Sequence, residues 1–216
     1  MDLEITGKRA LVTGSSAGLG AAIARLLAAE GASVVVHGQD ADRAGKAAAE
    51  IGAAEVAIGD LSTDAGADAA AGDVDILVNN AGSYDHLSRA EATPEGWTAT
   101  YEANVVSAVR MIHRFVPGMR SRGWGRVVQI GGGAGDPADG DAAALHGDAR
   151  RAAQPRSVPG TGAERDGRDV ERGGPGRDPG GSEEIAAAVG YLVSPAADYV
   201  SGATIRVDGG TIRSVH

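Results

Sequence analysis

Short apolar runs alternate with segments of helical pattern through the first 130 residues, and this alternation constrains the fold more than any other feature. The apolar runs predict five strands, at 9–13, 33–37, 55–58, 75–79 and 126–130. Helices are predicted between them at 18–30, 41–51, 63–72 and about 95–121, with Pro117 marking a bend or break in the longest. Strands that alternate with helices form parallel sheets, so we predict an α/β fold with a doubly wound, Rossmann-type sheet.

The composition changes after residue 145, where this pattern ends. Residues 146–181 contain seven Arg, nine Gly and four Pro, but no Leu, Ile, Met, Phe, Tyr or Trp. Such a stretch buries too little apolar area to offset the entropy lost on ordering it. We therefore expect a single domain, 1–216, in which an ordered part (1–145) is followed by an irregular or disordered segment (146–181). A C-terminal helix and last strand (182–216) complete it, and the sheet would be incomplete after the fifth strand.

A glycine-rich turn, Thr13-Gly-Ser-Ser-Ala-Gly-Leu-Gly20, joins the first strand to the first helix. Gly14 suits a tight turn, Gly18 lets a phosphate approach the backbone, and Gly20 lets helix and strand pack closely. The helix N-terminus offers N–H groups to an anion. The alternative is an ordinary glycine-rich connection. We predict that 1–145 is a nucleotide-binding part whose loop contacts are Gly14, Ser15, Ser16, Gly18, Leu19 and Gly20.

Charge and residue types argue against several other functions. The net charge of −9 argues against nucleic acid as a partner, because a phosphate backbone needs a basic protein face. The chain has no cysteine, which excludes disulfides and thiolate metal sites, and we expect no metal. No apolar run approaches the roughly 20 residues of a membrane span, and the first residues are unlike a signal peptide. A cytoplasmic protein with no membrane partner is expected.

Two motifs at the predicted strand ends resemble the short-chain dehydrogenases and reductases. They are the glycine loop and Asn79-Asn-Ala-Gly82, which follows the fourth strand. Further matches are Asp60-Leu61 after the third strand, Asn104 within Tyr-Glu-Ala-Asn-Val, and 201–210 near the C-terminus. The resemblance covers 1–145 and 182–216, and is nearest to the 3-oxoacyl-carrier-protein-reductase-like subgroup.

This resemblance implies an NAD(P)-dependent oxidoreductase acting on a carbonyl/alcohol pair, with an unknown small carbonyl substrate. It adds dinucleotide contacts at Asp60, Leu61, Asn80, Ala81 and Gly82. At the end of the second strand, the Asp of NAD users falls at Gly38 and the Arg of NADP users falls at Gln39. Because Gln39 can hydrogen-bond either form of the ribose, the choice between NADP and NAD stays open.

The catalytic residues that the resemblance implies are missing at their expected positions. The family's Ser falls at Gly132, its Tyr at Leu145 and its Lys at Ala149, which leaves Asn104 as the surviving member of the catalytic tetrad. Reduction of a ketone needs a donor that protonates the alkoxide. His146 is the alternative donor. Two hypotheses follow: an oxidoreductase, or a catalytically inactive nucleotide-binding relic, that is, a pseudoenzyme.

Residues 146–181 also stand where the family has its dimer helix, sixth strand and substrate segment. A shifted reading frame explains this segment, because codons for 145–149 displaced by one base can spell Tyr-x-x-x-Arg. A divergent low-complexity loop is the alternative. Under either reading the substrate segment is missing and the family's homo-oligomer interface is damaged. Residues 202–207, the predicted last strand, would lack a strand neighbour.

Overall fold

The computed structural model describes residues 2–70, 72–83, 93–131, 155–159 (backbone), 181–205 and 207. Within these residues the strands are β1 (Arg9–Val12), β2 (Ser33–Gly38), β3 (Glu55–Ile58), β4 (Ile76–Asn79), β5 (Arg126–Gly131) and β6 (Pro155–Pro159). The helices are α1 (Gly18–Ala29), α2 (Ala41–Ile51), α3 (Asp64–Asp68), α4 (Pro94–Tyr101), α5 (Ser107–Ser121) and α6 (Ser182–Val193).

The strands form one sheet in the order β3-β2-β1-β4-β5-β6, and every neighbouring pair is parallel. Leu11 at the centre of β1 lies beside Val35 of β2 and Leu77 of β4. The chain leaves β1 toward β2 and β3, then returns to place β4 on the other side of β1. This reversal puts a topological switch point between the carboxyl ends of β1 and β4, where ligands of open α/β sheets bind. The predicted doubly wound fold is confirmed.

Two apolar layers cover the sheet. On one face, α1, α2 and α6 pack through residues such as Ile23, Ala48 and Val189. On the other, α3 and α5 pack through residues such as Ala67 and Met111. Small side chains fill much of this core, as the 3% aromatic content requires. The alternation of side chains along each strand therefore sends Leu11 and Thr13 to the α5 face, and Val12 to the α1 face.

The long predicted helix at 95–121 is three helical segments in succession. A π-helical turn at Glu102–Val106 separates α4 from α5. Of the predicted bend or break at Pro117, the break does not occur, because Pro117 lies inside α5, which continues to Ser121. The interruption comes earlier, at the π-helical turn. The predicted helix at 63–72 is shorter, because α3 ends at Asp68.

After β5 the structure describes two further regions of the chain. Strand β6 lies within the segment expected to be irregular, and it pairs with β5 so that Val128 lies beside Arg156. The remainder of 146–181, apart from Gly181, lies outside the described residues. Helix α6 begins at Ser182 and packs on α1, where a Cβ at Gly190 would lie 3.1 Å from Leu26 Cδ2. In the predicted last strand, Thr204 and Val207 form isolated β-bridges.

Candidate nucleotide-binding site

The glycine loop has a backbone that side chains would disturb. Gly14 has φ +65° and Gly18 has φ +55°, in the left-handed region that favours glycine. A Cβ on Gly14 would lie 2.9 Å from the Cα of Ala81, whereas a Cβ on Gly18 would have no neighbour within 4 Å. At Gly20 a Cβ would lie 2.6 Å from Nδ2 of Asn80. The loop is thus closed on the strand side by Ala81 and Asn80, and open at Gly18.

The N-terminus of α1 has no side-chain cap. Its N-cap residue is Ala17, and no side chain accepts a hydrogen bond from its first turn. By contrast, the side chains of Asp40, Thr63 and Thr93 cap α2, α3 and α4. The first N–H groups of any helix lack intrahelical acceptors, and they carry the positive end of the helix dipole. The exposed start of α1 therefore offers uncapped donors and a positive potential to an anion.

Thr13 ties the glycine loop to the end of β4. Its Oγ1 accepts hydrogen bonds from the amides of Asn80 and Ala81, both at 2.9 Å, and donates to the carbonyl of Val78 at 3.3 Å. The Asn80 side chain also links the two segments, because its Nδ2 donates to the carbonyls of Thr13 and Gly14 at 3.0 and 3.3 Å. These bonds bring two of the predicted motifs together across the switch point.

A buried histidine that the sequence analysis did not select holds the loop from the other side. His37, 2% exposed, accepts from the Gly14 amide through Nδ1 at 3.1 Å, and its Nε2 lies 3.1 Å from the Gly59 carbonyl oxygen. The Ser15 amide donates to the His37 carbonyl, and the His37 amide donates to Ser15 Oγ. A lone histidine at a strand end gives no sequence signal for such contacts.

Asp60 and Leu61 follow β3 at the same edge of the sheet. Leu61 is buried against the α5 face, whereas Asp60 is exposed. The backbone amide of Ser62 donates to Asp60 Oδ1 at 2.9 Å, and this bond lowers the pKa of the Asp60 carboxyl below its usual range. Asp60 is therefore a fixed negative charge at the carboxyl end of β3.

Asn104 supports the loop that contains the second motif. Its Oδ1 accepts from the Ser83 amide and its Nδ2 donates to the Ser83 carbonyl, both at 2.8 Å. A Cβ at Gly82 would lie 2.5 Å from Asn104 Oδ1. Because both polar atoms of the side chain are used on one peptide segment, Asn104 positions the Gly82–Ser83 turn from the π-helical turn.

The end of β2 carries no charge toward the glycine loop. A Cβ at Gly38 would lie 3.1 Å from the Oγ of Ser16 and 3.4 Å from the Cβ of Ala44. An acidic side chain at residue 38 therefore does not fit without movement of these neighbours. Gln39 is exposed, and the carboxylate of Asp40 accepts from the Arg43 amide at 2.9 Å.

Asn79, at the last position of β4, is 2% exposed, and its Oδ1 and Nδ2 have no hydrogen-bond partner. It lies beside Gln129 in the sheet register. The positions expected for the missing catalytic residues, 132, 145 and 149, and the alternative donor at 146, lie outside the described residues.

A surface groove also lies between α3 and α5, lined by Asp64, Ala67, Asp68, Val109, Arg110, His113 and Arg114. Its walls are joined by the ion pairs Arg110–Asp64 and Arg114–Asp68, and it lies on the outer surface of the helices.

Throughout the described part of the chain, no cluster of His, Asp and Glu has the arrangement of a metal site. In the same residues, no helix has the length and apolar character needed to cross a membrane.

Residues 8–143 match the short chain dehydrogenase family. The chain is 39% identical over 147 residues to an uncharacterized oxidoreductase, YvrD, of Bacillus subtilis (strain 168), in a match that covers 62% of this chain and 55% of the relative. The chain thus spans about half the length of such relatives. It is also 32% identical to the 3-oxoacyl-[acyl-carrier-protein] reductase FabG of Escherichia coli (strain K12), over 96% of this chain and 98% of the relative.

A solved structure described as a short chain dehydrogenase/reductase family protein superposes with a TM-score of 0.74 at 32% identity, covering 97% of this chain and 98% of that one. The sequence matches, this superposition and the parallel sheet with its glycine loop agree. The chain belongs to the short-chain dehydrogenase/reductase family and is similar to its 3-oxoacyl-carrier-protein reductases.

Proposed function

We propose that this chain binds a nicotinamide dinucleotide at the carboxyl edge of β1, β2, β3 and β4, and that it does not itself catalyse hydride transfer at a useful rate. One observation carries the binding proposal. The uncapped N-terminus of α1 follows a glycine loop that is open at Gly18 and is fixed to β4 through Thr13 and Asn80. This arrangement suits a pyrophosphate, whose charge the helix dipole favours.

The residues at this edge divide between the parts of the cofactor. The glycine loop, including Ser15, Ser16 and Leu19, would hold the pyrophosphate, and Gln39 lies where an adenosine ribose is expected. The Asp60-Leu61 pair is expected to contact the adenine. The turn of Asn80, Ala81 and Gly82 is expected to contact the adenosine ribose. When bound, the nicotinamide ring would supply the chemistry of hydride transfer to or from the carbon of a carbonyl/alcohol pair.

Neither cofactor is favoured by a charge at the end of β2. Position 38 is a glycine, where an acidic side chain would fit only if Ser16 and Ala44 moved, and residue 39 is a neutral Gln. NAD and NADP therefore both remain candidates, and binding must be measured with each.

The proposed inactivity rests on the residues that protonate the alkoxide. Gly132, Leu145 and Ala149 carry no group that donates a proton near neutral pH. Asn104, the remaining tetrad residue, uses both side-chain polar atoms on Ser83. A family oxidoreductase that acts on a small carbonyl/alcohol pair would need another donor.

Three further expectations stay predictions. They are the cytoplasmic location, the damaged homo-oligomer interface, and the division of the chain into 1–145, 146–181 and 182–216.

Fluorescence titration of the purified chain with NADH and with NADPH tests the binding proposal. Gly18→Ala should weaken binding by at least about tenfold, because its methyl group fills the space left for a phosphate. The matched control is Gly123→Ala, because Gly123 has φ +70° and no neighbour within 4 Å of a Cβ. Both changes introduce similar backbone strain, but residue 123 follows α5 at the opposite edge of the sheet. Equal affinity of the two variants, or no binding of either nucleotide by the parent chain, would contradict the proposal.

A further inference from the structure

His37 contacts the glycine loop through three of its own atoms, and the residue that follows β3 through a fourth. Its amide and carbonyl bond to Ser15, its Nδ1 to the Gly14 amide, and its Nε2 to the Gly59 carbonyl. The two backbone bonds can be made by any residue at position 37 except proline. The two ring bonds depend on histidine, so the imidazole has a role that the backbone does not explain.

The partners of the ring fix its protonation state. The Gly14 amide is a donor, so Nδ1 must be the unprotonated nitrogen that accepts from it. The Gly59 carbonyl is an acceptor, so Nε2 must carry the proton. A neutral Nε2–H tautomer satisfies both bonds, whereas a proton on Nδ1 would face the Gly14 N–H and break that bond.

The surroundings of the ring favour this neutral form. Burial lowers the pKa of His37, although the bond to Gly59 and the nearby charge of Asp60 act in the opposite direction. The glycine loop itself carries no charged side chain. On the face of α3 and α5, the charged groups are Arg110, which pairs with Asp64 and Glu102, and at the start of α2, on the opposite face, the carboxylate of Asp40 accepts from the Arg43 amide.

We propose that His37 is a positioning residue for the dinucleotide, whose neutral ring fixes the Gly14 turn so that the start of α1 faces the pyrophosphate. The inference rests on the proposed binding at the glycine loop, and it extends that proposal to a residue outside the loop. Protonation of the ring removes the acceptor for the Gly14 amide, so in acid the loop loses one of the bonds that fix the Gly14 turn.

Two substitutions separate the two ring bonds. In His37→Asn, Oδ1 stands at the same number of bonds from Cα as Nδ1, so it keeps the acceptor for Gly14 and does not titrate. In His37→Gln, Nε2 stands where the ring Nε2 does, so it keeps the donor to Gly59 and loses the acceptor for Gly14. His113→Asn is the control, because His113 is an exposed histidine on α5.

Calorimetric titration with ADP-ribose from about pH 8 to about pH 5 measures the effect on the pyrophosphate site. The range extends well below the ordinary histidine pKa because burial lowers the pKa of His37. This probe keeps a constant charge over the range. The parent and His113→Asn should lose about five- to tenfold in affinity toward the acid end, as expected for the loss of one hydrogen bond. His37→Asn should bind like the parent at the alkaline end and show no such pH dependence, and His37→Gln should bind weakly throughout. Parent-like binding by His37→Gln, or an unchanged pH profile in His37→Asn, would overturn the inference.

A second measurement needs no nucleotide, so that failure of the proposed function is distinguished from failure of this inference. In an NMR titration of the free chain, the His37 ring should show the neutral Nε2–H tautomer. The Gly14 amide resonance should shift with the same midpoint as the ring. A chain that binds no ADP-ribose but shows this coupling would refute the proposed binding alone. A Gly14 amide that does not follow the titration of the ring would refute the role of His37.

Discussion

At the scale of single residues, one hydroxyl organises the candidate site. Thr13 Oγ1 accepts two backbone amides from the end of β4 and donates to a carbonyl of the same strand. A strand end leaves N–H groups that the sheet does not pair, and a buried N–H without an acceptor is costly. Thr13 thus supplies acceptors for the turn that carries Asn80 and Ala81, and fixes that turn relative to the glycine loop.

We predict that Thr13→Val lowers the free energy of unfolding by about 1–3 kcal/mol, because two amides lose their acceptor while the side-chain shape is kept. The affinity for dinucleotide should fall as well. Thr13→Ser keeps the hydroxyl and should retain most of both. Urea unfolding and nucleotide titration measure the two effects, with the exposed Thr98→Val as a control for the substitution type. If Thr13→Val matches the Thr98→Val control, the hydroxyl does not organise the site.

At the scale of elements, the apolar pattern predicted the five strands β1 to β5 to within about a residue at each end, because buried parallel strands are short and continuously apolar. Periodicity could not place the π-helical turn at Glu102–Val106, since neither α4 nor this turn contains a buried residue that would mark an apolar face. The expected break at Pro117 did not occur for a different reason, which is packing. Burial of Phe115, Val116 and Met119 holds α5 together through the missing hydrogen bond.

The α6 terminus and His37 show where residue patterns are insufficient. Serine before a helical pattern is typical of an N-cap, but α6 begins at Ser182, and its N-cap is Gly181 without a side-chain bond. The glycine loop and the Asn-Asn-Ala-Gly motif were visible because each carries its signal within a few residues. His37 was not, because its partners Gly14 and Gly59 lie 23 and 22 residues away in the chain.

The packing of α5 on the sheet leads to a second prediction. Met111 is fully buried among the side chains of the α5 face, whereas Val109 on the same helix is 45% exposed. Met111→Ala should cost about 2–5 kcal/mol of unfolding free energy through the cavity it leaves. Val109→Ala should change that free energy by no more than about 0.5 kcal/mol. Chemical denaturation of both variants provides the measurement, and similar losses would show that α5 is not packed as described.

At the scale of the whole molecule, the glycine loop and the positions expected for the catalytic Ser, Tyr and Lys lie in different parts of the chain. The half of the sheet from β3 to β4 carries the glycine loop and the two residues that hold it, Thr13 and His37. The family match, over residues 8–143, includes this half together with β5. Of the positions that the family resemblance implies for catalysis, 132 lies within this match, and 145 and 149 lie beyond it. If the proposed function is right, nucleotide binding and catalysis depend on different parts of the chain, and we expect that the first is kept where the second is lost.

We predict that the chain does not oxidise NADH or NADPH above the blank rate in the presence of acetoacetyl thioesters or simple ketones. General acid catalysis is typically worth about 10²–10⁴-fold and a single carbonyl-polarising donor about 10²–10³-fold, so losing either is disabling. The absorbance of the reduced nicotinamide measures turnover. The parent chain is compared with a variant that carries Gly132→Ser, Leu145→Tyr and Ala149→Lys. Turnover by the parent at rates ordinary for an enzyme would contradict the proposed inactivity. If that turnover disappeared in His146→Ala, the imidazole would be the proton donor.

The bare start of α1 has a consequence for the life of the protein in a cell. The N-termini of α2, α3 and α4 are capped by a side chain of the protein, whereas the N-cap residue of α1 is Ala17. A bound pyrophosphate would therefore act as the N-cap of α1. By mass action, a ligand at about 100 times its dissociation constant adds about 2.7 kcal/mol to the folded state, a large share of the roughly 5–15 kcal/mol of a typical domain. The nucleotide pool would then act as a folding partner, and the abundance of the protein would follow the metabolic supply of that nucleotide even if no substrate is ever turned over.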